Sequence, residues 1–145
     1  MEKLLSCLQT VPEYQMLLKA LGRGESAAVT GIGQINRSHM IAALHQAHPA
    51  PMVVIVQDDI AAKRLQSELK SFLGTTAPVL PHRELTLYDA AVASRSWEQK
   101  RLRQLYELAS GKTRLQIFTW ESLSQRTIPR NVLLNTAFRL EIGKE

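Results

Sequence analysis

The sequence predicts an α/β fold, a parallel sheet flanked by helices, and three observations carry that expectation. Met52-Val53-Val54-Ile55-Val56 is an uninterrupted apolar run of the kind a parallel sheet buries on both faces. Leu115-Gln116-Ile117-Phe118-Thr119 is a second strand-like run, rich in apolar and β-branched residues. Between the two lie segments whose apolar residues recur at three- and four-residue spacing, and strands that alternate with helices in this way wind in parallel with right-handed crossovers.

Two short helices open the chain, over residues 3–8 and 12–21, the second with Pro12 in its first turn and with Gly22 and Gly24 at its end. Gly22-Arg23-Gly24 reads as a hinge. Ser26-Ala27-Ala28-Val29-Thr30 reads as a short buried strand, Gly31-Ile32-Gly33 as a turn, and residues 36–47 as a helix. His48-Pro49-Ala50-Pro51 then interrupts, and the run over residues 52–56 is expected at the centre of the sheet. Asp58 or Asp59 caps the next helix, whose Ala62, Leu65, Leu69, Phe72 and Leu73 form one stripe before Gly74 stops it. Ala77-Pro78-Val79-Leu80 is short and extended, and residues 81–96 lack a regular period and read as a loop. A helix over residues 97–109 is expected to bury Leu102, Leu105, Tyr106 and Ala109, to expose Lys100, Arg103, Gln104 and Glu107, and to end at Gly111. A strand over 115–119, a short helix over 120–126, a helix over 129–135 opened by Pro129 and an extended piece over 138–142 complete the chain. The division this suggests is residues 1–24 as helices and hinge and residues 25–145 as the α/β domain.

Composition bounds the function. In 145 residues, 45% are hydrophobic and 21% charged, which excludes disordered, collagen-like and low-complexity classes. The formal net charge of +5 tolerates a polyanionic partner without identifying one. A single cysteine, Cys7, excludes an intrachain disulfide and a cysteine-rich zinc site, fits a reducing compartment such as the cytoplasm, and on an amphipathic helix reads as a small buried hydrophobe. No apolar run approaches the length of a membrane span, and the first ten residues lack a signal-peptide core.

Ala28-Val29-Thr30-Gly31-Ile32-Gly33-Gln34-Ile35 occupies the strand-to-helix corner where backbone N–H groups and a helix N-terminus cradle phosphate. A working loop of the G-x-x-x-x-G-K-[ST] type places a lysine on the β and γ phosphates and a hydroxyl on magnesium. Those positions hold Gln34, which carries no charge, and Ile35, which carries no oxygen, and Ala28 replaces the first glycine. Thr30, Gly31, Gly33, Gln34 and Ile35 therefore read as a degenerate phosphate loop that is not expected to bind ATP. No catalytic constellation and no metal site is expected: Asp58-Asp59 suits a helix cap, and His45 and His48, three apart on one helix face, lack further ligands nearby. Arg95, Lys100, Arg101 and Arg103 cluster at the start of one helix, where Arg95, Lys100 and Arg103 are candidate nucleic-acid contacts on a face that would look the same if simply solvated. Trp97, Trp120 and Tyr106 suit the core and form no stacking platform.

Four stretches in a fixed order resemble the N-terminal part of the bacterial transcription-repair coupling factors and the equivalent module of the excision-repair protein UvrB. They are Val29-Thr30-Gly31-Ile32-Gly33; residues 51–56 running on to residues 65–72; Arg83-Glu84-Leu85-Thr86-Leu87-Tyr88-Asp89; and Arg101-Leu102-Arg103-Gln104-Leu105-Tyr106. The tail, Phe118-Thr119-Trp120-Glu121-Ser122-Leu123 and residues 138–143, is similar to the passage from this module toward a following UvrA-binding domain. The resemblance implies an incomplete RecA-like, three-layer α/β domain of the P-loop NTPase type, close to the first domain of UvrB. It implies a scaffold without a cofactor of its own, in a parent whose separate motor domains use ATP and Mg, displace stalled RNA polymerase on DNA and recruit UvrA. In UvrB the corresponding loop binds ATP, and Gln34 and Ile35 place this chain with the coupling factors. The alternatives are a nucleotide-binding helicase or hydrolase fragment with Gly31, Gly33 and Gln34 as contacts, and a basic DNA-binding module.

Overall fold

The computed structural model describes residues 2–83 and 96–138. Its element order is α1 (Glu2–Ser6), a 3-10 turn (Cys7–Thr10), α2 (Pro12–Gly22), α3 (Gln34–Ala47), β1 (Met52–Val56), α4 (Asp59–Leu73), α5 (Ser96–Ala109), β2 (Leu115–Thr119), α6 (Trp120–Ser124) and α7 (Arg130–Thr136). The fold is α/β. β1 and β2 pair in parallel with Met52 beside Leu115 and Val56 beside Thr119. On the far side of β2, the Leu80 N–H donates to the Ile117 carbonyl at 2.8 Å and the Ile117 N–H to the Pro78 carbonyl at 2.9 Å, so residues 78–80 extend the pairing as a single parallel bridge.

β2 is therefore the central strand, and the expected order of burial is reversed. All five residues of β2 are buried, whereas β1 alternates, with Val53 46% and Ile55 55% exposed. Alternation follows from the pleat, because successive side chains point to opposite faces. Leu115, Ile117, Met52 and Val54 lie on the face packed by α3 and α4, in a cluster that includes Ala42, Ala62, Leu65 and Leu69. Gln116 and Phe118 lie on the other face, where the Gln116 side-chain amide donates to Gln104 of α5 at 2.9 Å. Val53 and Ile55 share that second face, and no described element buries them. An apolar run reveals that a strand forms without saying how many of its faces are covered.

The predicted strand over residues 26–30 does not form. The segment is exposed throughout and makes no ladder with any described residue. Its Ser-Ala-Ala start offers little side chain to bury against a neighbour, and the outer edge of β1 carries no partner strand among the described residues.

The helices follow local chemistry closely. α4 begins where the Asp58 side chain accepts from the Ala61 N–H at 2.8 Å, which settles the cap between the two aspartates, and ends at Gly74 with φ +70. α6 opens on a capping box in which Thr119 and Ser122 each bond the other's backbone. Pro12 opens α2 and Pro129 caps α7. The N-terminal helices are not detached: Leu5 and Tyr14 belong to the same apolar cluster as α3, α4 and β2. Cys7 is exposed, so its expected role as a buried hydrophobe is not met. Trp120 is also exposed and Trp97 and Tyr106 only half-buried, so Trp120 leaves the expected core. The extended piece over residues 138–142 lies outside the described residues beyond Phe138, which is exposed, and so do residues 84–95 of the expected loop.

Candidate functional site

The glycine corner sits as the sequence places it, in front of a helix, but it is built differently. α3 begins at Gln34, two residues earlier than expected, with Gly33 as its cap residue and no side chain to satisfy the first N–H groups. Gly31 takes φ +78, a left-handed conformation that favours glycine and turns the chain into the helix. Thr30, Gly31, Gly33 and Gln34 are all exposed and none of them is a cation, so the lysine position of a phosphate loop is not filled. The strand that normally feeds such a loop is missing, since residues 26–30 are unpaired coil.

α2 lies against this corner. Leu8, Glu13, Tyr14 and Leu17 on one side and Val29, Thr30, Gly31, Ile32, Asn36 and Met40 on the other enclose a cavity of about 530 Å³. His39 also lines it, bonds the Leu4 carbonyl through Nε2 at 2.8 Å and stacks on Phe72 with ring centroids 5.3 Å apart. These contacts tie α1, α3 and α4 together behind the corner.

The basic cluster divides. Arg101 is 5% exposed, its Nη1 donating to the Pro81 carbonyl at 2.7 Å and its Nη2 to the Ser122 carbonyl at 2.9 Å. Burial pushes its pKa down. Leu102, expected inside, is 46% exposed in its place. The reason is the two backbone carbonyls on the inner side of α5: an apolar side chain would leave both unpaired, and a guanidinium satisfies them together. Lys100 and Arg103 remain exposed, Arg103 paired with Glu107 at 3.0 Å and Lys100 lining a second cavity with Asp59, Lys63, His82 and Gln104. Arg95 lies outside the described residues. Asp59 stands 3.7 Å from His82 Nδ1, and Asp58 is held in its cap, so the corner after β1 is acidic.

His45 and His48 do not share a helix face, because α3 ends at Ala47 and His48 is extended. His45 is partly buried with Nδ1 unpartnered; burial first, and then the Arg114 charge, lower its pKa. No group of three His, Cys, Asp or Glu side chains converges on a metal position among the described residues, and no described helix is long and apolar enough to cross a membrane. Sequence reasoning missed Tyr14 and Arg101 as structural determinants: Tyr14 is not singled out, and Arg101 reads as one of four clustered cations.

With this geometry in view, one comparison bears on the chain. The transcription-repair-coupling factor of Myxococcus xanthus is 28% identical to it over 141 residues, taking in 91% of this chain and 12% of that protein. The chain is related to a part of that factor. It spans 12% of the relative's length. No protein-family model and no solved structure matches.

Proposed function

We propose that the chain is a UvrB-like scaffold module of a transcription-repair coupling factor that performs no chemistry itself. The observation that carries this reading is the glycine corner: it keeps the turn and the helix of a phosphate loop while Gln34 and Ile35 stand where lysine and a hydroxyl are needed. The similarity to a coupling factor over 91% of the chain supports the repair context. The half-covered sheet supports a role as one layer among several, with Val53 and Ile55 offered to a neighbouring part of the parent. The parent would use ATP in other domains to move on DNA, displace stalled RNA polymerase and recruit UvrA, and this module would support the surface that follows it.

The test is a calorimetric titration of ATP with Mg²⁺ onto the chain. No saturable, Mg²⁺-dependent heat is expected, and micromolar binding would overturn the reading. A Gln34→Lys, Ile35→Thr double variant that gains binding would show that the turn geometry outlived its chemistry.

A further inference from the structure

The cavity at the glycine corner has a chemistry of its own. Leu8, Leu17, Val29, Ile32 and Met40 make most of its wall apolar, and about 530 Å³ is ample for a small molecule. Tyr14 is 95% buried by complement of its 5% exposure, and nothing among the described residues bonds its hydroxyl. The unpartnered side-chain polar atoms that are cut off from solvent are His45 Nδ1 and Gln116 Oε1. The Tyr14 oxygen is not one of them, so it keeps its access to solvent, and Tyr14 lines this cavity. In solution water completes this hydroxyl, and a ligand that donates to it takes the water's place. Beside it on α2, Glu13 supplies the one fixed charge among the described lining residues.

A lone carboxylate at the exposed rim of an apolar wall selects by sign: it repels phosphate and carboxylate and attracts a cation. We propose that this cavity binds a small apolar amine, its aromatic or aliphatic body against Leu17, Val29 and Met40 and its ammonium donating to the Tyr14 hydroxyl oxygen and facing the Glu13 carboxylate. The corner would thereby have exchanged a preference for phosphate for a preference for the opposite charge. The site is independent of the repair context and stands or falls without it.

The experiment is an amide chemical-shift titration of the full chain with phenethylamine, 2-phenylethanol, 3-phenylpropionate and inorganic phosphate. Phenethylamine should shift the Gly31 and Asn36 amides saturably, with a dissociation constant on the order of 10 mM or tighter for so small a probe. The alcohol should bind more weakly, and the two anions should leave those amides unmoved. Tyr14→Phe keeps the ring in the core and removes only an oxygen that bonds nothing, so it tests the contact without threatening the fold; it should weaken the amine about fivefold. Glu13→Gln, at an exposed position, should abolish the preference for amine over alcohol. Absence of saturable shifts at Gly31 and Asn36, binding of either anion as tightly as the amine, or full affinity in Tyr14→Phe would each overturn the proposal.

Discussion

Arg101 joins three parts of the chain through one side chain: α5, the segment at Pro81 and the start of α6. Removing it would strand two carbonyls in a buried place and open a gap in the packing. Arg101→Leu is therefore expected to cost about 2–4 kcal/mol, and Arg101→Lys less, because one ammonium still reaches a carbonyl. Urea unfolding of the two variants checks the order; equal loss in both would mean that a single ammonium recovers nothing of what the forked donor supplies. The charge at this position was legible in the sequence, but its burial was not. Its partners are main-chain oxygens 20 and 21 positions away, and a sequence offers no local sign of them.

At the scale of single elements, local chemistry was the better guide. The stripe of α4, its aspartate start and its glycine stop are all written in neighbouring residues, and the helix spans Asp59–Leu73 accordingly. Only the choice between two aspartates stayed open, and the Asp58 bond to Ala61 decides it. Asp58→Ala is expected to destabilise by about 1 kcal/mol and Asp59→Ala by less, since the second loses a first-turn charge and a part-exposed contact with His82 but no cap bond. Thermal unfolding of each single variant measures the difference, and a larger effect at Asp59 would reassign the cap. Strands were harder for a physical reason. Residues 26–30 and 52–56 both carry strand-like residues, but a strand needs a partner, and among the described residues only the second finds one, in β2. The candidate site shows the same split: the glycine turn and the helix behind it were legible at residues 31–47, whereas the closure of the corner by α2 depends on contacts across the hinge.

For the molecule as a whole, burial is one-sided. The apolar cluster runs from Leu5 and Tyr14 through α3 and α4 to Ile117, while the opposite face of β1 stays open. Polar replacement should therefore be tolerated on one face and punished on the other. Val53→Thr with Ile55→Thr is expected to leave the denaturant midpoint nearly unchanged, within about 0.5 kcal/mol, whereas Ile117→Ala should lose about 2–5 kcal/mol. A comparable loss in the double variant would mean that the open face is covered in solution.

The open edge of β1 also bears on how the chain behaves in a crowded solution. The outer edge of β1, Met52 to Val56, has no partner among the described residues and amounts to roughly 17 Å of template for a stray extended peptide. Pro49 and Pro51 stand at one end of that template, and Asp58 and Asp59 at the other. Proline has no N–H to continue a ladder, and two carboxylates resist stacking of one copy on the next, so the aggregation-prone stretch is bracketed by its own gatekeepers.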